Sequence, residues 1–460
     1  MFALPGIAFL IVFILARPQE FVPLLRSVPF LHLFTAFAVI GYIIDIRLRR
    51  LQPIAANTLP WAVAFFVWAV VSVAATAPAN VMSRGIEMAI LFALYGTIAH
   101  GIQRFRTFQA IAGVLAATCM FIALVCFHQG LAARQCVGGD ETEGAIEGRP
   151  DGRPCEHVPG SCNGPDAQPG FEYRCEHVGL FGTYSVDDRV RYRGELKDPN
   201  EVALTISAGA LALLIGFAVR KRSGAAKLAL GATFVIALVT VFMTQSRGGL
   251  VAAMLVPGVY IVRRYGFAAA IPAALVAVPV LILGGRSGEA ADLSTEMRYD
   301  AWSTGLDMWH HSPIYGVGAR AFGEHHFLTA HNSFVLALAE MGIVGLILFV
   351  AIIYLTLKTL IVGMRVLADV PGTRAAQVWG MALLAAMAGI VFQINTLSFS
   401  YHSVLWVFIG LVGAWYSSVR HHEPGFVVKL TVRDIIVIVV MCFAYALVVL
   451  PLFLKVKGFS

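Results

Sequence analysis

Residues 333–356 read SFVLALAEMGIVGLILFVAIIYLT, with one acid, Glu340, and no base. A helix needs roughly 20 consecutive apolar residues to cross the hydrocarbon core of a bilayer, and this stretch is long enough. Runs of the same kind recur on both sides of it, at 3–16, 29–46, 58–77, 85–102, 108–127, 200–219, 228–244, 249–262, 266–284, 376–396, 403–418 and 435–454. The chain is 58% hydrophobic and 13% charged, with a mean hydropathy of +0.77. Soluble domains carry about 25% charged residues. Long segments of alternating apolar and polar residues, the mark of an outer-membrane barrel, do not occur, so helices are the expected spanning elements. The predicted fold class is an all-α polytopic membrane protein with about 12–13 transmembrane helices. The run 4–16 lacks a basic leader and a small-residue cleavage site, so it reads as a retained first helix rather than a signal peptide.

The net charge of +7 does not point to nucleic acid, because of where the bases sit. Arg47, Arg49 and Arg50, then Arg104 and Arg106, then Arg220, Lys221, Arg222 and Lys227 follow even-numbered spans. So do Arg263 and Arg264, then Lys358, Arg365 and Arg374, then Arg420, Lys429 and Arg433. Short basic loops mark the cytoplasmic side. The expected arrangement is a multi-pass bacterial inner membrane protein with a cytoplasmic N-terminus. Lys455 and Lys457 then fall outside, against the trend. The organisation that follows is 1–130, about five helices; 131–199, a Cys-containing outer loop; 200–284, helices six to nine; 285–332, an outer loop carrying the reactive residues; and 333–460, the remaining helices.

Both outer loops exceed ordinary connections, and loops of that length are usually functional or disordered. The first is rich in Gly and Pro and is expected to hold little regular structure. It contains Cys136, Cys155, Cys162 and Cys175, which in an oxidising compartment predict two disulfides in one of three pairings. A zinc site is the rival, because Cys155-Glu156-His157-Val158 recurs as Cys175-Glu176-His177-Val178. The C-x-x-C and H-x₃-H spacings of zinc sites are absent, which favours disulfides. Cys119, Cys126 and Cys442 belong to the spans, as small apolar fillers. In the second loop, 297–308 has helical spacing and breaks at Pro313 and Gly316-Val317-Gly318.

Three groups of residues at the outer ends of the spans are suited to chemistry. Arg189, Arg191 and Arg193 alternate along an extended stretch beside the membrane, where they suit an anionic diphosphate. Asp198, Pro199 and Asn200 follow as a capped helix start, or as part of the same site. The second group is Arg247 in Thr244-Gln245-Ser246-Arg247-Gly248-Gly249: a snorkelling arginine, or one held in a turn shaped to approach a ligand. The third runs from Arg298 through Trp302, His331 and Asn332 to Glu340. His331 offers an imidazole that can accept a proton from a sugar hydroxyl. His310, His311, His325 and His326 lie nearby, but no HExxH or HxH pair fixes two ligands, so no metal and no cofactor is expected.

These motifs resemble the O-antigen ligase and polymerase superfamily. The resemblance rests on D-P-N at 198–200, T-x-S-R-G-G at 244–249, R-x-x-x-W-x-x-G at 298–305, P-x-x-G-x-G at 313–318 and H-N-S-F-x-x-x-L-x-E-x-G-x-x-G at 331–345. It covers roughly 195–350 and does not extend to the Cys-rich loop or to Arg17-Pro18-Gln19-Glu20-Phe21. It implies a C-type glycosyltransferase fold. It also implies a periplasmic reaction on a glycan carried by undecaprenyl diphosphate, without a metal. Arg247 and Arg298 would hold the diphosphate and His331 the acceptor hydroxyl, with Arg189, Arg191, Arg193, Asp198, Asn200, Trp302, Asn332 and Glu340 as further substrate contacts. The acceptor is the lipid A core for a ligase, a second lipid-linked glycan for a polymerase, or protein for an O-oligosaccharyltransferase. No conspicuous carboxylate nucleophile is present, which favours an inverting transfer. A transporter or flippase is the competing reading, but such proteins place ionisable groups mid-span. Here Asp45, Glu87 and Glu340 lie near the ends.

Overall fold

A computed structural model describes residues 1–139, 149–155, 162, 172–218, 223–285 and 288–459. Among these, ten helices are long and apolar enough to cross a membrane: Phe30–Arg47, Leu59–Thr76, Pro78–Gly101, Phe105–Leu131, Pro199–Ala218, Gly224–Met243, Ser333–Asp369, Arg374–Gln393, Ser403–His422 and Val432–Val456. Three more apolar helices, Ala3–Leu15, Arg247–Tyr265 and Ala270–Gly284, occupy the remaining predicted spans; they are shorter or carry arginines at their ends. The chain is an all-α polytopic membrane protein.

Contacts between loops sort the ends of the helices into two faces. On one, Asn57 donates to Thr359 Oγ1 at 2.7 Å and to the Val428 carbonyl at 3.0 Å, Gln52 and Gln103 are paired at 2.9 Å, and Lys358 reaches Asp434 at 2.5 Å. This is the face of the short basic loops, although Arg220, Lys221 and Arg222 lie outside the described residues. On the other, Ser72 donates to the Tyr315 carbonyl at 2.6 Å, and Tyr192 donates to the Ala16 carbonyl at 2.7 Å. Both long loops belong to this second face.

Helix Ser333–Val366 breaks at Gly342, whose φ is +65°. A Cβ there would lie 2.2 Å from the Ile314 carbonyl oxygen. Only glycine allows both that angle and that approach. The Pro313–Gly318 segment docks into the gap, with the Gly318 amide donating to the Glu340 carbonyl at 2.9 Å. The broken helix thus holds the second loop.

The first loop is more regular than expected. Arg134–Gly139 (β1), Arg149–Pro154 (β2) and Glu172–His177 (β3) form an antiparallel sheet in the order β2-β1-β3. Bonds between Cys136 and Cys162 and between Cys155 and Cys175 cross-link it. The strands are only six residues long, β1 ends in two glycines and β2 contains Gly and Pro, and the cross-links supply order that composition does not show. The Cys136, Cys155 and Cys162 sulfurs lie within 4.8 Å of one another, but as partners in disulfides rather than as thiolates. His177 is turned to the Ala132 carbonyl at 2.6 Å, and the His157 copy of the repeat lies outside the described residues. Cys119, Cys126 and Cys442 are free and buried.

Candidate functional site

Asp198 caps helix Pro199–Thr205, its Oδ1 accepting from the Asn200 backbone and side-chain amides, both at 2.8 Å. Pro199 follows at the first helical position, where its missing N–H costs nothing. The helix start is laced to two neighbouring turns. Gln393 Nε2 donates to the Asn200 carbonyl at 2.8 Å. Arg189 donates to Asn200 Oδ1 at 3.3 Å and to the Thr244 carbonyl at 3.0 Å. Arg189 is therefore a brace between the first loop and the Thr244–Arg247 turn. In that turn Ser246 Oγ caps the next helix by accepting from the Gly249 amide at 3.0 Å. Arg247 occupies the first helical position, exposed, with its stem against Gly285.

The other wall is helix Glu289–His311 and the segment after it. Trp302 Nε1 donates to the Ala330 carbonyl at 2.7 Å, which ties the approach to His331 onto this helix. His331 itself has a φ of +44° and donates its amide to Ser398 Oγ at 2.9 Å. A non-glycine residue in that region costs of order 1–3 kcal/mol and persists only where its surroundings hold it. Here they do. Asn332 Oδ1 caps helix Ser333–Val366 through the Phe334 and Val335 amides at 2.9 and 3.2 Å. Ser333 Oγ donates to the Leu397 carbonyl at 2.7 Å and accepts from the Phe399 amide at 2.8 Å.

His331, Arg298 and Asp198 act on one another. Burial pushes the His331 imidazole below its ordinary range, Arg298 pushes it further, and Asp198 opposes both. Burial likewise lowers Arg298, against the favourable fields of Asp198 and Tyr299. His331 Nδ1 is shielded from solvent and has no hydrogen-bond partner among the described residues. Neither Arg247 nor Arg298 forms a salt bridge there. An unpaired, partly dehydrated guanidinium costs free energy that an arriving anion recovers. The cluster thus sets Arg298, without a salt bridge among the described residues, beside an imidazole with one shielded ring nitrogen left without a partner there.

Other expected contacts are differently employed. Arg191 donates to the Tyr184 carbonyl at 3.2 Å with its guanidinium 4.4 Å from that ring's centroid, and Arg193 donates to the Phe181 carbonyl. Glu340 is buried, and its two oxygens accept from the Arg320 and Phe322 amides, both at 2.9 Å. Among the residues expected as substrate contacts, Glu340, Trp302 and Asn332 also hold the loop and the helix start with their polar groups. His326 reaches Asp300 at 3.1 Å, and His311 Nδ1 lies 2.9 Å from the Asp307 carbonyl, each within its own part of the loop. Arg17-Pro18-Gln19-Glu20-Phe21 packs under the first loop: Phe21 stacks on Phe181, and the Arg17 side chain fills the space where Gly194 lacks a Cβ.

One supporting segment escaped the sequence reading. The connection 393–403 carries Gln393, Ser398 and Ser400, which hold Asn200, His331 and Ser333. His402 donates to the Glu195 carbonyl at 3.1 Å and accepts from the Val404 amide at 3.2 Å, so both ring nitrogens are engaged; burial lowers its pKa. A short polar connection of this kind gives no motif, and only its density of Ser, Thr, Asn and Gln could have drawn attention.

Residues 232–350 match the family model described as O-Antigen ligase, a stretch that includes Arg247, Arg298, His331 and the break at Gly342. No curated protein matches the chain. The match leaves out Asp198, Arg189 and the 393–403 connection, which the fold nonetheless brings to the matched residues. The chain is a multi-pass membrane protein whose residues 232–350 are similar to the O-antigen ligase family.

Proposed function

We propose that this protein transfers a glycan from an undecaprenyl diphosphate carrier to an acceptor hydroxyl on the periplasmic face of the bacterial inner membrane. The observation that carries the reading is the cluster itself: Arg298, without a salt-bridge partner among the described residues, beside a His331 imidazole with a free, shielded nitrogen. The site's face is the one opposite the short basic loops, which is the periplasmic face if those loops are cytoplasmic.

In the reaction the carrier's diphosphate sits against Arg298 and Arg247. The acceptor hydroxyl attacks the anomeric carbon while His331 takes its proton. The bond from that carbon to the phosphate oxygen breaks, and undecaprenyl diphosphate leaves with the electron pair. The transfer is a single displacement with inversion. Preorganised guanidinium donors stabilise the charge that grows on the leaving group without a metal ion, and most effectively in a site sheltered from water. His331 supplies the base in its working form, because burial and Arg298 keep the imidazole neutral. Asp198 orients this pair through its field, and Trp302, Ser398 and Asn332 hold the His331 backbone.

The test is genetic and chemical. Arg298→Ala and His331→Ala should abolish surface polysaccharide assembly while the protein stays in the membrane. Normal glycan profiles from both would overturn the reading. What accumulates distinguishes the acceptor: single lipid-linked units indicate a polymerase, and long carrier-linked chains missing from lipid A indicate a ligase.

A further inference from the structure

Helix Val432–Ala444 continues through a π-helical turn, Tyr445–Val449, into Leu450–Val456. Its first end is fixed on the basic face, where Asp434 accepts from Lys358 at 2.5 Å and from Tyr354 at 2.8 Å. Its far end lies against helix Glu289–His311, which carries Arg298. Phe453 packs on Tyr299 and Trp302 at ring-centroid distances of 5.3 and 5.7 Å, and Phe459 packs on Tyr299 at 6.0 Å. Lys457 Nζ lies 5.7 Å from the centroid of the Tyr299 ring. Tyr299 adjoins Arg298 on helix Glu289–His311. Lys457 has no salt-bridge partner among the described residues, and it stands on the face that membrane proteins leave poor in lysine. The π turn also matters here. One extra residue in a turn rotates everything beyond it by about 100°, and such turns recur at functional sites. Here the rotation presents Phe453 and Lys457 to the Arg298 helix.

We propose that Lys457, seated on Tyr299, adds a second cation to Arg298 in a subsite for a phosphate group at the membrane edge of the site. The inference rests on the reading of Arg298 as a diphosphate ligand and extends it to a residue outside the matched domain. A compact ammonium on a flexible stem suits a phosphate oxygen held alike in the bound donor and the transition state, whereas Arg298 supplies the fixed, forked contact. The phosphate belongs either to the glycan carrier or to an anionic phospholipid beside it.

The experiment uses the full chain in nanodiscs, with transfer measured against lipid-linked donor concentration and against inorganic pyrophosphate as inhibitor. Lys457→Ala should raise the donor KM and the pyrophosphate inhibition constant together, by about fivefold, as expected for one cation near a membrane surface. kcat should change little, Lys457→Glu should weaken both further, and Lys457→Arg should restore them. Discs of phosphatidylcholine alone and discs containing phosphatidylglycerol separate the sources. An effect in both places the phosphate on the carrier, and an effect only with phosphatidylglycerol places it on the lipid headgroup. Unchanged constants in both discs, or an arginine variant as weak as the alanine one, would overturn the subsite. Arg298→Ala run alongside keeps the two ideas apart. If it abolishes transfer while Lys457→Ala has no effect, only the subsite fails; if Arg298→Ala is harmless, the underlying reading fails.

Discussion

The two long loops share a face of the molecule and differ in what their charges do. In the first, Arg191 and Arg193 are spent on carbonyls of the 181–184 turn, Arg134 pairs with Asp188 at 2.7 Å, and two disulfides close the sheet. In the second, Arg298 faces a carboxylate field without an ion pair among the described residues, and His331 keeps a buried nitrogen free. A charge satisfied within its own loop stabilises that loop. A charge left unsatisfied costs stability, and a fold that keeps it does so beside groups that use it. The difference separates a support from a candidate reaction centre more sharply than residue type does, since both loops carry arginine.

The comparison can be broken by single substitutions. Arg298→Ala and His331→Ala should each reduce transfer by at least about a thousandfold, the scale of losing a charge-stabilising donor or a general base. Arg191→Ala and Arg193→Ala should cost less than about tenfold, because their partners are main-chain carbonyls at the loop surface. Equal losses from the two pairs, measured as kcat/KM in nanodiscs, would end the distinction. A second break concerns stability. Replacing Cys136 and Cys162 together by Ser should lower unfolding stability by about 3 kcal/mol while activity per folded molecule survives. Thermal unfolding and transfer rate measured on the same sample check it. Glu340→Ala strands two buried amides and should destabilise by about 2–4 kcal/mol, with the activity loss following the unfolded fraction.

The spans and their two faces could be read from sequence because hydropathy and loop charge act over many residues and average out local exceptions. Arg247 and His331 drew attention because each stands at the start of a span, and Arg298 because it opens the helical stretch of the second loop. The intramolecular partners of Glu340 could not be read in the same way. A buried acid near a helix start looks alike whether it meets a substrate or the Arg320 and Phe322 amides, and only the fold of the Pro313–Gly318 segment into the break at Gly342 decides. The sheet of the first loop was hidden for another reason: cross-links between distant cysteines order strands too short for a pattern. The placement of Lys457 depends on the π turn at Tyr445–Val449, for which sequence offers no rule.

The smallest predicted effect bears on the contrast most directly, because it reads the field within the second loop rather than the presence of a group. In the proposed mechanism His331 works as a neutral base, so kcat/KM is expected to fall as pH drops through its pKa. Burial and Arg298 both disfavour the imidazolium, which puts this acid limb below the ordinary histidine range. Asp198 favours the imidazolium. Asp198→Asn keeps a side chain that can cap helix Pro199–Thr205 but removes the charge. His331 should then titrate lower still, and the acid limb should move to lower pH, with the plateau rate reduced as the pair loses its orientation. A role for Asp198 confined to capping predicts no movement of the limb. Arg191→Asn offers the control: it removes a charge already committed to Tyr184, and the limb should stay where it is.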